Sequence, residues 1–350
     1  MKIHLPSDAA RAVHYNDEKM KVLILHDTIP ETAPEDQKDG LIQAVVVADA
    51  LRRLGYDPVA IPFSLDVSAF ADTLRSTRPA FVFNLVESVG GSGRLIHVAP
   101  AVMDQLGIPF TGASTDTLYL TSNKVIAKKV MSLARLPTPQ WYPAEGLKKI
   151  ELVDEGPYIV KSVWEHASIG MAEDSVLTTR DGTALLERMK RKAHRFGGEW
   201  FAERFVEGRE FNLSLLASEG RPDLLPPAEM VFRHYPADKA KMVCYRAKWE
   251  ESSFEYRNTA RSFGLGAEDA PLLEELGRLA TACWDLFNPR AYARVDFRVD
   301  GEGRPWILEV NVNPCLSPDA GFAAATEHGG LSMEAVIQRI IRHSGCPEPH

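Results

Sequence analysis

Short runs of consecutive apolar residues, separated by stretches with helical spacing, dominate the first third of the chain. Lys21-Val22-Leu23-Ile24-Leu25-His26 is one such run, fit for a buried parallel strand. A Pro-rich, acidic stretch over 28–40 reads as a loop, and the apolar spacing over 41–54 as a helix. Val59-Ala60-Ile61-Pro62-Phe63 and Pro79-Ala80-Phe81-Val82-Phe83-Asn84-Leu85 supply further strands, with helices near 67–76 and 97–106. This alternation predicts an open parallel sheet with helices on both faces.

After the turn Pro109-Phe110-Thr111-Gly112, a helix over 124–133 leads to Leu136-Pro137-Thr138-Pro139, which reads as a domain boundary. Beyond it the pattern predicts a strand ending at Lys161, a helix over 183–195, strands over 200–205 and 211–216, and a long helix over 271–287. These make a mixed α+β region.

The most telling pattern lies near the C-terminus. Arg294-Val295-Asp296-Phe297-Arg298-Val299 and Trp306-Ile307-Leu308-Glu309-Val310-Asn311 flank the turn signal Asp300-Gly301-Glu302-Gly303. With the turn centred between Glu302 and Gly303, Val295 faces Val310, Phe297 faces Leu308 and Val299 faces Trp306 on one apolar face. The other face pairs Asp296 with Glu309 and Arg294 with Asn311. Two carboxylates directly opposed, roughly 5 Å apart at Cβ, are destabilising unless something compensates. Two readings fit. In one, a divalent cation compensates, and the hard oxygens of Asp, Glu and Asn suit Mg²⁺ with a nucleotide's phosphates. In the other, the hairpin is half-exposed and its polar face meets water.

Length and composition bound the alternatives. At 350 residues and 45% apolar content the chain can bury large cores, and its length suggests two or three domains. A net charge of -8 argues against a binder of nucleic-acid backbones. No apolar run is long enough to span a membrane, and the first 20 residues lack a signal core, so the expected location is cytoplasmic. Cys244, Cys283, Cys315 and Cys346 have no metal-type spacing and read as reduced thiols. Met20 would itself make a natural start, which leaves 1–19 as an expected extension outside the fold.

Four further constellations stand out. Lys161 ends an apolar strand and precedes Glu165-His166-Ala167-Ser168-Ile169-Gly170-Met171, a loop fit to close over phosphates as a lid; no Walker pattern occurs anywhere. A strand-ending lysine is also a common snorkelling surface residue. Glu203-Arg204-Phe205-Val206-Glu207-Gly208-Arg209-Glu210-Phe211 sets carboxylates on both sides of a turn, as site or as surface charge. Lys248 lies in a basic segment interleaved with aromatics. Asn313-Pro314-Cys315-Leu316-Ser317 is a tight turn whose backbone N–H groups suit an oxyanion.

In order, Lys124, Ile159-Val160-Lys161, the segment from Glu203 to Phe211, Pro227-Ala228-Glu229, Ala247-Lys248, Arg294-Val295-Asp296 and Leu308-Glu309-Val310-Asn311 closely resemble the ATP-grasp enzymes of the D-alanine:D-alanine ligase type. The resemblance spans about 20–342. It implies an α/β and α+β fold with ATP pinched between two antiparallel sheets: an N-terminal domain over 20–117, a central lid domain over 118–205 and a C-terminal catalytic domain over 206–345. It further implies that Lys124 and Lys161 contact ATP phosphates and that Glu203, with backbone groups of Arg204, Phe205 and Val206, holds the adenine edge. Glu210 would bind the ribose and Lys248 the γ-phosphate. Asp296, Glu309 and Asn311 would hold two Mg²⁺ ions, for which Mn²⁺ would substitute. Arg294 would stabilise the transferring phosphoryl group, assisted by Lys248, by Ser168 in the lid and by the backbone at Cys315.

The implied reaction is phosphorylation of a carboxylate by ATP followed by attack of an amine, in a homodimer expected from the family alone. The amino-acid half departs from the family. Asn84-Leu85-Val86-Glu87-Ser88 replaces a His-Gly pair, His166-Ala167-Ser168 a Gly-Ser-Ser, Trp249 a Tyr, Cys315 a Gly and Ala320 a Ser. A ligase for a different amino acid, peptide or specialised carboxylate is therefore expected. Glu87 is the candidate for a substrate ammonium, Arg94 or Arg261 for a carboxylate, and Ser317 for a further substrate contact. A D-alanine:D-alanine ligase proper and an ATP-dependent small-molecule kinase or ATPase are the alternatives.

Overall fold

The computed structural model describes residues 19–29, 35–165, 168 and 170–349. Residues 1–18 of the expected extension over 1–19 and the lid residues His166, Ala167 and Ile169 lie outside the described residues.

The first sheet forms from β1 (Lys21–Asp27), β2 (Asp57–Phe63) and β3 (Phe81–Asn84), parallel in the order β2-β1-β3. Alternation along β1 divides its side chains between two cores. Val22 and Ile24 meet Val47 and Leu51 of helix α1 (Glu35–Arg53). Leu23 and Leu25 meet Phe70 and Leu74 of α2 (Val67–Thr77) and Met103 of α3 (Val98–Leu106). Helices thus cover both faces, as expected. Helix α1 begins at Glu35, earlier than its apolar spacing indicates and inside the stretch read as a loop.

Two helices follow, the first not expected from the sequence and the second expected over 124–133. In α4 (Thr115–Ser122) Ser114 caps the N-terminus, and in α5 (Lys124–Leu133) Asn123 does so, accepting from the Ile126 N–H at 2.9 Å. The second sheet is antiparallel, with order β4-β7-β5-β6. It contains β4 (Trp141–Pro143), β5 (Leu152–Ser162), β6 (Val176–Asp181) and β7 (Trp200–Arg204), with α6 (Ala144–Leu147) and α7 (Gly182–Phe196) packed on it.

The third sheet has the order β11-β10-β8-β12-β13. Its strands are β8 (Arg209–Leu216), which also pairs with the short β9 (Asp223–Leu224), then β10 (Ala228–Phe232), β11 (Thr259–Ser262), β12 (Tyr292–Val299) and β13 (Pro305–Asn311). Short helices α8 (Tyr245–Trp249) and α9 (Phe254–Asn258) precede β11, α10 (Ala270–Phe287) precedes β12, and α11 (Gly321–His328) and α12 (Met333–His343) close the chain. Val336, Ile337, Ile340 and Ile341 of α12 are fully buried in the core that holds Val22 and Ile24. Each such side chain contributes about 1.5–3 kcal/mol on burial, so the last helix fastens the third sheet to the first.

The hairpin register is as expected at one end only. Arg294 faces Asn311, Val295 faces Val310 and Asp296 faces Glu309. Then the pairing slips: Phe297 faces Ile307, not Leu308, and Val299 faces Pro305, not Trp306. Leu308 is the extra residue of a β-bulge, which leaves both Leu308 and Glu309 facing one cavity while Ile307 and Val310 stay in the core.

Candidate active site

The second and third sheets, α5 and α8 surround a cavity of about 530 Å³. Its floor is the polar face of β8, β12 and β13. Asp296 lies opposite Asn212 on one side and Glu309 on the other. The Asp296 carboxylate accepts from Arg294 Nε at 2.7 Å and Nη2 at 2.9 Å, a bidentate pair, and from Asn212 Nδ2 at 2.7 Å. Burial works against the Arg294 charge, but Asp296 and Glu309 outweigh it, so this guanidinium stays protonated. Lys124 Nζ lies 3.5 Å from Glu309 and donates to the Glu165 carbonyl at 2.6 Å.

One wall carries a buried ion triad. Glu203 of β7 is 1% exposed and is gripped by Lys161 Nζ at 2.8 Å and by Lys128 Nζ. Burial alone would push the Glu203 carboxyl up; the two ammonium groups more than offset it and keep it ionised. Lys161 also reaches the cavity. Glu210, 3.0 Å from Arg298 Nη2, lines the cavity, and burial pushes its carboxyl up. Lys248 of α8 faces the same space, where burial, then Arg294, depress its ammonium.

At the edge formed by the first sheet, Glu87 lines the cavity beside Asp39. Burial and the neighbouring Asp27 push Glu87 up to about 7, although Gln43 Nε2 donates to it at 2.6 Å. The Cys315 thiol donates to Asp39 Oδ2 at 2.9 Å, and Gln43 Oε1 accepts from the Leu316 N–H at 3.1 Å. The turn after β13 is thereby tied to α1.

Residues 131–342 match the family model described as the D-ala D-ala ligase C-terminus. The chain belongs to that family. A D-alanine–D-alanine ligase of Chromohalobacter salexigens is 29% identical over 309 residues, covering 87% of this chain and 90% of its own. One of Magnetococcus marinus is 27% identical over 333 residues, 93% and 97% of the two chains. Among solved structures, the D-alanine–D-alanine ligase of Bacillus anthracis complexed with ATP superposes with a TM-score of 0.69 at 18% identity, covering 93% of this chain and 97% of that one. The fold is accordingly ATP-grasp, and this member of the D-ala D-ala ligase family is an ATP-dependent ligase that forms a C–N bond.

Of the residues singled out in the sequence, this ligase-family member gathers Lys124, Lys161, Glu210, Lys248, Arg294, Asp296, Glu309 and Asn311 around one cavity, with Ser168, Glu87, Arg261 and Cys315 at its margins. Ser168 Oγ donates to the Val243 carbonyl at 3.2 Å, across to the segment before α8. Three expectations are corrected. Arg94 is exposed: the turn Gly93–Leu95 lies with Gly93 against the Trp164 carbonyl, where no side chain fits, and Arg94 pairs with Glu199 at 3.1 Å. Ser317 is fully buried and its hydroxyl is taken by Asp39. The Glu203 carboxylate is committed to Lys128 and Lys161 and does not reach the cavity. The Arg204 side chain turns outward onto the Glu155 carbonyl at 2.8 Å and the Tyr158 ring, so only its backbone, as expected, is left for the site.

Phe205 packs with Ile159, Met242 and Cys244, and the Val206 side chain adds nothing to the wall. Sequence reasoning missed Asn212, although Glu210 and Asn212 share a strand face at spacing two; it also missed Lys128, one helical turn beyond Lys124. Asp39 and Gln43 were hidden in the acidic stretch and in a helix whose partner lies more than 270 residues away. Among the described residues no helix is long and apolar enough to cross a membrane.

Proposed function

We propose that the protein is an ATP- and magnesium-dependent carboxylate–amine ligase working through an acylphosphate, with a substrate pocket diverged from that for D-alanine. The observation that carries this reading is the opposed pair Asp296 and Glu309, with Asn311 two residues on, in a cavity that also receives Lys124, Lys161, Lys248 and Arg294. Among the described residues no cluster of three His, Cys, Asp or Glu side chains forms a cage for a metal. Two carboxylates and an amide oxygen nonetheless fit Mg²⁺, which takes one or two carboxylates and completes its shell with water and phosphate oxygens.

Asp296, Glu309 and Asn311 are the residues that would hold the ions, whose chemistry is to offset charge on the triphosphate. Lys124 and Lys161 would hold its phosphates, with Lys161 positioned by Glu203. Lys248, with no hydrogen-bond or ion-pair partner among the described residues, would reach the γ-phosphate. Glu210 would take ribose hydroxyls, and backbone groups over 203–206 the adenine edge. Apolar contact for the base comes from Leu308 and Met230.

A carboxylate oxygen of the first substrate attacks the γ-phosphorus as the bond to ADP breaks. The amine nitrogen then attacks the acyl carbon, the carbon–oxygen bond to phosphate breaks and the nitrogen gives up a proton. Arg294, locked by Asp296, stabilises the equatorial oxygens and then the tetrahedral oxyanion, together with the backbone N–H of the turn at Cys315. Ser168 would close the lid against water, which would otherwise hydrolyse the acylphosphate. Trp249, Cys315 and Ala320 on the cavity wall support a diverged pocket.

The test is phosphate release with Mg-ATP across D- and L-amino acids and dipeptides, with Asp296→Asn as control and mass spectrometry of products. An Asp296-dependent amide from a pair other than D-alanine supports the reading. D-alanyl-D-alanine as the only product supports the reaction named for the relatives and removes the divergence. ADP with a phosphorylated product, or with no product, sinks the ligase reading.

A further inference from the structure

We propose that Arg261 is a specificity residue for the amine substrate and that this substrate presents a carboxylate to it beside Gly321. The inference rests on the ligase reading and adds a residue of this chain, on β11, to the recognition of its second substrate. Arg261 lies on the edge strand β11, opposite Met230, and lines the cavity. Its Nη1 donates to the Asp319 carbonyl at 3.1 Å, which fixes the guanidinium plane. Its Nε is buried and has no hydrogen-bond partner among the described residues. A buried donor without an acceptor costs about 1–3 kcal/mol, so such a group points to a missing partner.

The position of that partner is marked by Gly321. A methyl carbon built on this glycine would have as its nearest neighbours Arg261 Nη2 at 3.7 Å, Arg294 Nη1 at 3.8 Å and Arg261 Nε at 3.9 Å. Two guanidinium groups therefore converge on one small space that the glycine leaves open. Arg294 has given Nε and Nη2 to Asp296, and Nη1 remains. Arg261 offers the Nε–Nη2 edge, the fork that matches a carboxylate bidentately. Both side chains are cationic; Asp319 accepts from Arg261 through its carbonyl, and its carboxylate adds a favourable charge smaller than the repulsion from Arg294. Burial and then the Arg294 charge depress the Arg261 guanidinium, a strain that an anion at this point relieves.

The backbone agrees with the side chains. Gly321 is the first residue of α11, and the cap residue Ala320 makes no side-chain hydrogen bond, so the first-turn N–H groups are without a cap.

The experiment compares free amino acids with their carboxamides as acceptors, using the full chain with Mg-ATP for turnover and with a non-hydrolysable ATP analogue for calorimetric binding. The wild type should prefer acid over amide by about 10²-fold in kcat/KM. Arg261→Met should bring that preference below about 5-fold, chiefly through the acceptor KM, and Arg261→Lys, which keeps the charge but loses the fork, should fall between. Melting curves establish that the variants are folded. Equal use of acids and amides by the wild type, an undiminished acid preference in Arg261→Met, or no acid in the panel binding overturns the proposal. Amide products with a preference indifferent to Arg261 would leave the ligase reading standing alone. Arg261-dependent binding of acids without any amide product would leave the carboxylate site and remove the ligase reading.

Discussion

Asp296 and Glu309 face each other across β12 and β13 one step before the pairing slips at Leu308. That order decides the chemistry of the floor. Up to the slip the strands alternate strictly, so Arg294, Asp296, Glu309 and Asn311 share one face; past it, the bulge turns Leu308 onto the same side and adds apolar surface next to the carboxylates. Regular alternation sets the carboxylate face, and the one irregularity sets the apolar patch beside it.

With Asp296 as an ion ligand, Asp296→Asn should lower ATP-dependent phosphate release by at least about 10²-fold. It should also abolish the magnesium-dependent rise in melting temperature that ATP gives the wild type. Calorimetric titration of the variant with ATP, with and without magnesium, checks both; an unchanged magnesium dependence removes Asp296 from the ion site.

The Glu203 triad is structural as well as positional. Glu203→Gln strands Lys128, itself 1% exposed, without its counter-charge. Removing one partner of a buried pair costs about 3–5 kcal/mol, to be read from urea unfolding. Adding Lys128→Met should recover part of the loss. A Glu203→Gln variant as stable as the wild type contradicts the triad's role.

Glu87 predicts a pH dependence of stability. Its folded-state value is raised from 4.5 to about 7, so between those values the folded chain holds a proton that the unfolded chain has released. Stability should therefore fall as pH rises through that window, relative to a Glu87→Gln variant in which the slope is removed. A bound ammonium group would pull Glu87 back toward ionisation, and amino-acid affinity should strengthen as pH rises through about 7. Parallel unfolding curves for the two proteins from pH 4.5 to 7 would refute the assignment.

The thiols make a simpler forecast. Burial pushes Cys283 and Cys346 up to about 12, and raises Cys244 and Cys315 as well. At pH 8 the native protein should react slowly with iodoacetamide, and all four should alkylate on unfolding, as counted by mass spectrometry. Rapid native labelling of Cys315 would show that its bond to Asp39 does not hold the thiol.

What was legible in the sequence was whatever depends on short-range alternation. Period-two patterning placed Asp296 opposite Glu309 and Arg294 opposite Asn311, and apolar runs located β1 and, to within one residue, the end of β5 at Ser162. Contacts chosen at long range were not. Nothing local says that Glu203 will be claimed by Lys128 from α5, that the Ser317 hydroxyl will turn to Asp39, or that Arg94 will pair with Glu199 at the surface. The slip at Leu308 was equally hidden, because Ile307 and Leu308 are both apolar and either satisfies the core.

Attack of a carboxylate oxygen on the γ-phosphorus of ATP leaves an isotopic mark when a carboxyl substrate labelled with oxygen-18 is turned over to amide in unlabelled water. The released phosphate should carry one labelled oxygen per amide formed, because the carbon–oxygen bond to phosphate breaks in the second step. Amide formation accompanied by unlabelled phosphate would contradict it.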